Sequence, residues 1–366
     1  MKSASFLSTH KSTPFGVLLL LSFGRGVERT PAGALLAARS CQILPQILHN
    51  AKTYGIIQAP GLFAQSNGGT HMRLSINENY LTFRPGERRT QKEAIRLIQN
   101  AGFDTIDFGL FNLGKHPDEG EDHAAWIADC RRYCDGLGVK INQTHAPFYE
   151  GCPMPEGYRE RLLQCVRDTA ALGADCMVVH ADTWYEKNYH QWNYEAVLAA
   201  VYEVYAPAVE LAAQLGVKIA METLHEWLGN VYHRVRLCTF VEELNDIVGK
   251  FNCDTVGVCW DFGHAGLVYK DDQFEAMKRL KHPIIATHIH DNDFKRDAHR
   301  LPFQGSIDWH KAMQALAEVG YEGDLTLELT HGAIPDELAP DFLDYTHKTI
   351  THLADVFVSC KNAASH

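Results

Sequence analysis

Acidic side chains recur at the ends of short apolar runs in this chain. Glu222 follows KIAM, Asp261 follows VGVCW, and Glu328 lies within LTLEL. An unpaired carboxylate is costly to bury, and in an apolar run it normally needs a metal, a cation or a raised pKa. These three positions therefore favour metal binding combined with general acid–base chemistry.

Histidines occur at similar places. They end or follow other apolar runs, or lie with Asp297 in the segment DNDFKRDAHRLPFQG: His145, His180, His264, His288, His290 and His299. A single histidine at the end of a strand is more often a hydrogen-bonded structural residue than a metal ligand. The set gains meaning only if the fold brings the ends of these runs together.

The elements that would position these residues begin at Arg73. From there, short β-rich runs alternate with longer helical patterns, which is typical of βα units and a parallel sheet. The pattern predicts eight strands, at 73–77, 104–109, 140–145, 176–180, 218–223, 255–261, 284–290 and 324–329. Several predicted helices end in a glycine, which can adopt the left-handed conformation that turns the chain into the next strand: Gly102, Gly138, Gly173, Gly216 and Gly320.

The number of repeats favours one closed barrel. Eight βα units in a single chain of this length match a (β/α)₈ TIM barrel better than an open doubly wound sheet. No GxGxxG or P-loop pattern follows the first strand, which argues against the usual nucleotide-binding folds. In such barrels the strand C-termini and the loops after them form the active site. We therefore expect the ligand-type residues to meet at that end.

Charge divides the chain unevenly. Residues 1–72 contain six Lys or Arg and one acid, Glu28, whereas the remainder has 28 basic and 44 acidic residues, a net charge of −16. Nucleic-acid binding normally depends on neutralised phosphates, so this acidic body disfavours nucleic acid as a partner. The composition, 46% hydrophobic and 22% charged, is that of an ordinary globular protein.

The N-terminal segment has two interpretations. Its apolar run, 17–23, is too short to span a bilayer, so we predict no transmembrane helix and no membrane partner. Lys2 and Lys11 precede this run as in a signal peptide, but charged residues follow almost at once. We favour a poorly ordered extension or non-native start at 1–71, a barrel domain at 72–358 and a C-terminal tail at 359–366.

The ten cysteines are scattered without CxxC pairs. This usage favours reduced thiols and a cytoplasmic protein. The sequence leaves the oligomeric state open, a homo-oligomer included.

Four segments carry a resemblance to a known family. METLHE, CWDFGHAG, THIHDND and LTLELT resemble the xylose-isomerase-like superfamily, which holds sugar and sugar phosphate isomerases and epimerases, inosose-type isomerases and dehydratases, and endonuclease IV. The resemblance covers about 73–356. The epimerase branch implies that four residues hold the metal, Glu222, Asp261, His288 and Glu328, and that Glu222 and Glu328 also handle the protons.

The endonuclease IV branch implies a larger ligand set. Its trinuclear zinc site would add the residues His145, His180, His264, Asp297 and His299. Isomerase-like relatives retain many such residues as substrate contacts, so the set does not decide the reaction. One departure lies after the seventh strand, where relatives often have Gly-x-Gly and this chain has Phe303-Gln304-Gly305.

The ligand types indicate which cofactor and reaction to expect. Three carboxylates and one imidazole favour Mn²⁺, Mg²⁺ or Co²⁺, whereas the extra histidines would shift the preference toward Zn²⁺. We expect an isomerase or epimerase of a sugar or sugar phosphate that acts by proton transfer through a metal-stabilised ene-diolate. The alternatives are a metal-dependent lyase or dehydratase on a cyclic or glycosylated substrate, and a zinc phosphodiesterase of the endonuclease IV type.

Other residues near the predicted mouth have weaker signals. Trp184 and Trp227 could pack on a sugar ring or simply fill loops. Lys295 and Arg296 could hold a phosphate, although two adjacent basic residues in a loop are usually just solvated.

Overall fold

The structure, a computed structural model, describes residues 72–82, 89–111, 119–148, 154–181, 193–226, 236–330 and 334–364. The chain divides into a unit of 1–65 and a unit of 66–366, and every described residue belongs to the second unit. The extension predicted at 1–71 lies outside the described residues.

Eight parallel strands form the centre of the described part. They are β1 (Leu74–Asn77), β2 (Thr105–Gly109), β3 (Lys140–His145), β4 (Cys176–Val179), β5 (Lys218–Glu222), β6 (Val256–Asp261), β7 (Ile284–His288) and β8 (Leu325–Leu327). From β1 to β7 each strand pairs with its sequence neighbours, and β1 also pairs with β8. This order confirms the eight predicted strands, with ends that shift by one or two residues.

The barrel closes between β7 and β8 through one bridge and two backbone hydrogen bonds. Ile289 forms a parallel bridge with Leu327 just beyond the end of β7. The amide of Ile289 donates to the carbonyl of Thr326 at 2.8 Å, and the amide of Glu328 donates to the carbonyl of Ile289 at 3.1 Å. The strand ends that carry the candidate residues are therefore held in one ring.

Helices cover the outside of the barrel. They are α1 (Asn79–Thr82), α2 (Gln91–Asn100), α3 (His123–Leu137), α4 (Tyr158–Leu172), α5 (Tyr194–Leu215), α6 (Val241–Phe251), α7 (Phe262–Tyr269), α8 (Gln273–Met277), α9 (Trp309–Glu318) and α10 (Ala339–Ala364), with 3₁₀ turns at Lys270–Asp272 and Asp336–Leu338. The glycines predicted to end helices all have positive φ. Most of the predicted tail at 359–366 continues α10, because the helix ends only at Ala364.

The barrel interior differs between its two halves. Around β4 to β7 it is small and apolar, formed by Cys176, Val178, Ala220, Cys259 and Ala286. Around β1 to β3 and β8 it is polar: the Ser75 hydroxyl donates to Asn142, whose amide donates to Thr326. The larger apolar core lies between the sheet and the helices. In both halves, side chains therefore fill the barrel interior below the strand ends.

One helix in the described part is long and apolar enough to cross a membrane, namely α5. Its buried residues, which include Val201, Tyr205 and Ala212, recur at helical spacing along the helix. The helix contacts α4, α6 and β5, as expected of a core helix in a barrel.

Candidate metal centre

The strand ends bring four predicted ligands together. Glu222, Asp261 and His288 are the last residues of β5, β6 and β7, and Glu328 directly follows β8. One ligand atom from each of the four lies within 4.8 Å of every other. We call Glu222, Asp261, His288 and Glu328 the carboxylate cluster.

His288 lies at the centre of this cluster. Its Nδ1 lies 3.1 Å from Glu222 Oε1, 3.3 Å from Glu328 Oε2 and 3.7 Å from Asp261 Oδ2. Ligands bound to one metal at about 2.1 Å lie about 3.0–3.4 Å from one another. Most of these separations are therefore close to those of a shared metal ion.

The donor set of the carboxylate cluster also fits a divalent metal. Glu222, Asp261 and His288 are fully buried, and Glu328 Oε2 is buried without a hydrogen bond. Three carboxylates confined around one imidazole repel one another unless a cation lies among them. Oxygen-rich sets of this kind suit Mg²⁺, Mn²⁺ or Co²⁺.

Neighbouring histidines keep Glu222 and Asp261 ionised. Burial acts to raise the pKa of Glu222, but the charges of His288 and His180 outweigh it and hold this pKa well below its usual value. Burial also acts to raise the pKa of Asp261, and the charges of His264 and His290 lower it overall. Asp261 further accepts a hydrogen bond of 2.7 Å from the amide of His264, which makes it the N-cap of α7. Both carboxylates are thus ionised, as metal ligands must be.

Two histidines flank the carboxylate cluster on its Glu222 side. His145 Nε2 and His180 Nε2 lie 3.3 Å and 3.1 Å from Glu222 Oε2. Their rings are 5.0 Å apart, and Phe148 stacks on His180 at 4.8 Å, with an exposed edge at the barrel mouth. These histidines can bind a second metal with Glu222 or donate to a substrate.

The other predicted residues form a second group around Asp297, and His264 also lies 3.3 Å from Glu222 Oε1. Asp297 Oδ2 lies 3.3 Å from His264 Nε2 and 3.2 Å from His299 Nε2. Burial acts to lower the pKa of His299, but the charges of Glu328 and Asp297 raise it to about 9. All nine residues predicted for the site therefore lie at one end of the barrel.

The sequence interpretation missed a further member of this second group, His225. Its Nε2 lies 3.5 Å from the same Asp297 Oδ2. A signal existed, because Glu222-x-x-His225 after β5 repeats the spacing of Asp261-x-x-His264 after β6. We call His225, His264, Asp297 and His299 the imidazole cluster.

Two other residues support the carboxylate cluster and were not assigned a role from the sequence. His290 Nε2 donates to Asp261 at 3.0–3.1 Å, in space that exists because residue 263 is glycine: an added Cβ there would lie 1.8 Å from His290 Cε1. Asp107, on β2, has its Oδ2 3.6 Å from His288 Nε2. A carboxylate behind a metal-binding imidazole orients the ring and strengthens it as a ligand.

Asp291 organises the loop between β7 and α9, which carries Asp297 and His299. Its buried carboxylate accepts from the amides of Gly305 and Ile307 and from the indole of Trp309, at 3.0–3.2 Å. Gly305 cannot be replaced without displacing this carboxylate, because a Cβ would lie 2.2 Å from it.

Phe303 takes the first place of the Gly-x-Gly found in relatives, and it adopts a φ of +72° with its ring exposed. The loop thus keeps the left-handed backbone that a glycine there would allow.

The weaker candidates contribute little to the described site. Trp184 and Trp227 lie outside the described residues. Lys295 and Arg296 are exposed, and Arg296 pairs with Asp293 rather than facing either cluster.

The chain matches a known protein family and is similar to a curated protein. The family model described as "Xylose isomerase-like TIM barrel" matches residues 95–348. The inosose isomerase of Bacillus velezensis is 26% identical over 267 residues, which cover 70% of this chain and 88% of that protein.

Two solved structures share the fold. A D-tagatose 3-epimerase-like protein superposes with a TM-score of 0.61 at 20% identity, over 79% of this chain and 99% of the other. The IOLI protein with a bound zinc atom gives a TM-score of 0.59 at 21% identity, over the same shares.

Proposed function

The chain belongs to the xylose isomerase-like TIM barrel family, and from that premise we propose that it is a metal-dependent isomerase or epimerase of a sugar or sugar phosphate. The similarity to an inosose isomerase and to a D-tagatose 3-epimerase-like structure supports this class of reaction. The fold alone would not, because TIM barrels host many chemistries.

The observation that carries the proposal is the placement of two glutamates around one imidazole. Glu222 Oε1 and Glu328 Oε2 lie 3.1 Å and 3.3 Å from His288 Nδ1, at the end of the barrel where substrates bind in this fold. Two carboxylates beside one ligand position can serve the same carbon atom, one as base and one as acid. Proton transfer by positioned groups of this kind typically contributes about 10²–10⁴-fold to the rate.

Glu222 and Glu328 differ in how far their side chains are exposed. Glu328 is 18% exposed and can be reached from the mouth, whereas Glu222 is fully buried beneath His145 and His180. We therefore propose that Glu328 exchanges a proton with a carbon next to the substrate carbonyl and that Glu222 is the second acid–base group. In this proposal His145 and His180 bind substrate hydroxyls.

The carboxylate cluster would hold the metal in this proposal. A divalent ion bound there supplies positive charge beside the carbonyl and its neighbouring hydroxyl, which makes the adjacent proton easier to remove. The bound zinc of the IOLI structure supports a divalent metal, and the ligand types favour Mn²⁺, Mg²⁺ or Co²⁺ as well.

The described cysteines support a proposal about the compartment. The eight described cysteines are free, and burial raises the pKa of Cys134, Cys165 and Cys176 to about 12, so these thiols are unreactive. We propose a reducing compartment, the cytoplasm, as the place of action.

Metal analysis followed by a substrate screen tests the proposal. The purified full-length protein, loaded with Mn²⁺, Mg²⁺, Co²⁺ or Zn²⁺, is incubated with free and phosphorylated ketoses and with inososes. We expect bound divalent metal and interconversion of at least one substrate, abolished by chelation and restored by metal. A metal-free protein that converts a sugar at the same rate would refute the proposed metal dependence.

A zinc phosphodiesterase of the endonuclease IV type is a second candidate, favoured by the histidines on both sides of Glu222. Three ligand groups can be drawn from the described residues, two of which share Glu222. Cleavage of abasic DNA at low enzyme concentration, without sugar turnover, would establish this candidate. A lyase or dehydratase shares the first proton removal and is separated from an isomerase by its product.

A further inference from the structure

Glu328 differs from the other members of the carboxylate cluster in how its backbone is held. The other three members are the last residues of β5, β6 and β7, whereas β8 ends at Leu327, one residue before Glu328. Among the described residues, Glu328 Oε2 has no hydrogen-bond partner although it is buried. The placement of this carboxylate therefore depends on the contacts of the backbone around it.

Asn77 extends the pairing of β1 and β8 beyond the end of β8. The backbone amide of Leu325 donates to the carbonyl of Arg73 at 3.2 Å, and such bonds recur every second residue along a parallel ladder. Continued past β8, this pattern would pair the amide of Leu329 with the backbone carbonyl of Asn77. The Leu329 amide donates instead to the side chain of Asn77, to Oδ1 at 2.9 Å. The side chain thus takes the place of the next backbone group in the ladder.

The same side chain also holds the carbonyl of Leu329. Asn77 Nδ2 donates to this carbonyl at 3.0 Å and to Asn79 Oδ1 at 2.6 Å. A backbone amide only donates and a backbone carbonyl only accepts, so Leu329 fixes which way the Asn77 amide is turned. Asn77 is 5% exposed, so water cannot readily replace either bond. We call the two bonds between Asn77 and Leu329 the Asn77 clasp.

Few side chains can form this clasp. A primary amide carries an acceptor and a donor side by side, which together match the N–H and C=O of one residue. An aspartate offers only acceptors and would set one of them against the Leu329 carbonyl, and a leucine offers neither group. A buried backbone amide or carbonyl without a partner is costly, so the clasp cannot be removed without loss.

The opposite edge of the segment after β8 is held separately. The amide of Glu328 donates to the carbonyl of Ile289 at 3.1 Å, and the carbonyl of Glu328 lies 3.1 Å from His299 Nδ1. Both contacts come from the β7 side, whereas the Asn77 clasp comes from β1. Without the clasp, the hydrogen bonds described for the backbone of 328–330 all come from the β7 side.

We propose that Asn77 is a positioning residue for proton transfer, which acts through Glu328. The Asn77 clasp ties the residue directly after Glu328 to β1 and thereby holds the carboxylate at the place where it meets the reacting carbon. A displacement of about 1 Å in a reacting group can cost about a hundredfold in rate. This inference rests on the proposed function, since it assigns Asn77 a part in that reaction.

Substitution of Asn77 in the metal-loaded full-length protein tests the inference. Asn77→Leu removes both bonds of the clasp at nearly constant size. With a substrate identified by the screen, we expect kcat to fall about tenfold to hundredfold and KM to change less than about threefold. The reason is that Asn77 acts through the backbone of Leu329 rather than on the substrate. Metal content should match that of the unchanged chain, since the other three ligands end their own strands.

A matched control lies two residues earlier in β1. Ser75 is fully buried and donates to Asn142 at 2.9 Å, so Ser75→Ala also removes a buried hydrogen bond from this strand. Ser75→Ala should lower the melting temperature but leave kcat and KM close to those of the unchanged chain. Rates are compared per folded, metal-loaded molecule, which removes the effect of partial unfolding.

A double-mutant cycle separates action through Glu328 from a general loss of order. Deuterium uptake at the reacting carbon is followed over long incubation in Glu328→Gln, with and without Asn77→Leu. We expect the second substitution to slow exchange far less in the Glu328→Gln background than in the unchanged chain. Equal slowing in both backgrounds would mean that Asn77 does not act through Glu328.

Hydrogen exchange of the backbone gives a readout that needs no turnover. The Leu329 amide should exchange slowly in the unchanged chain and about tenfold faster or more in Asn77→Leu. Asn77→Asp keeps the acceptor and removes the donor, and it is measured in parallel in case the apolar substitution impairs folding. It should keep the Leu329 amide protected and still lower kcat, because the carbonyl is released.

Two results would overturn the inference and leave the proposed function standing. One is full kcat in Asn77→Leu, or in Asn77→Asp if the first variant does not fold. The other is a loss of kcat that Ser75→Ala reproduces. An unchanged chain that converts no sugar, with a Leu329 amide that loses its protection in Asn77→Leu, would instead refute the proposed function and leave the clasp as a structural contact only.

Discussion

The two clusters at the barrel mouth differ in where their residues come from. The carboxylate cluster consists of residues at strand ends, and Asp261 and His288 are direct partners in the β6–β7 register. The imidazole cluster consists of residues that follow strands or lie in the loop after β7. Their compositions are also opposite, with three carboxylates and one imidazole in one and the reverse in the other.

The positions of the strand-end residues are fixed by the sheet, whereas those of the loop residues depend on contacts within the loop. Residues at strand ends therefore need less added support than residues on loops, and proton transfer requires such fixed positions. Loop residues need additional contacts, and Asp291 and Asn292 provide them. The side-chain amide of Asn292 donates to the backbone carbonyl of Gly263, and the backbone carbonyl of Asn292 accepts from the backbone amide of Ser306.

Removing a ligand at a strand end should have the largest effect. Asp261→Ala is expected to lower turnover by roughly 10³-fold or more and to remove metal from the carboxylate cluster. The fold should survive, because barrel stability resides in the layers below the mouth. Metal analysis, turnover and thermal melting check this, with Asp271→Ala, in an exposed turn, as the control. Full metal content and turnover in Asp261→Ala would show that the cluster is wrongly assigned.

Removing a histidine of the loop after β7 should lower turnover less than removing a residue at a strand end. His299→Ala is expected to keep the metal of the carboxylate cluster and to lower turnover by about tenfold to hundredfold, less than Asp261→Ala, because His299 Nδ1 lies 3.5 Å from Glu328 Oε2 and acts through that carboxylate. Metal content and steady-state kinetics on one preparation separate the two effects. If His299→Ala loses metal and turnover as fully as Asp261→Ala, the two-cluster comparison fails.

A change behind the carboxylate cluster should weaken one metal only. Asp107→Asn removes the charge that lies 3.6 Å from His288 Nε2, and we expect the affinity of this cluster for metal to fall about tenfold to hundredfold. Competition with a coloured chelator measures this affinity, and an unchanged affinity in Asp107→Asn would show that Asp107 does not support the cluster.

The smallest expected effect concerns a histidine that needs no metal. His123, in α3, lies between Glu119 and Asp168 at 3.0 and 2.9 Å. Burial acts to lower its pKa, but hydrogen bonds to the two carboxylates raise it overall. The stability it contributes is therefore fully present below pH 6.5, the unfolded value, and is lost as pH rises through the raised folded pKa.

His123→Gln tests this contrast by thermal melting. The variant should melt about one to a few degrees lower at pH 6, and this difference should shrink as pH rises through the raised pKa of His123. Chelation should leave this difference unaltered. A difference that grows with pH would mean that His123 is neutral in the fold.

Local patterns predicted most of the fold and the strand-end residues. The strand predicted at 140–145 matches β3 at both ends, and Gly138, which ends the preceding helix, is a local signal for where this strand begins. The strand predicted at 284–290 is shorter, since the chain leaves β7 after His288: Ile289 bridges β8, and Asp291 pairs with Arg300 instead.

The imidazole cluster could be predicted only in part. His225 repeats a visible spacing, but its meeting with Asp297 depends on the loop after β7, whose shape is set by the hydrogen bonds that Asp291 accepts from residues 14 to 18 positions away. Such contacts are long-range and leave no periodic pattern in the sequence. Asp107 likewise appears in the sequence as an ordinary residue of a strand.

The central claim is that two glutamates move a proton at the carbon next to a carbonyl, and turnover in D₂O tests it most directly. For a substrate identified by the screen, product formation and deuterium at the reacting carbon are measured on the same sample. The account predicts deuterium in the product of the unchanged chain. It also predicts that Glu328→Gln suppresses exchange far more than binding, while Glu337→Gln, at an exposed position, leaves both unaltered. Isomerised product without deuterium, or full exchange in Glu328→Gln, would contradict it.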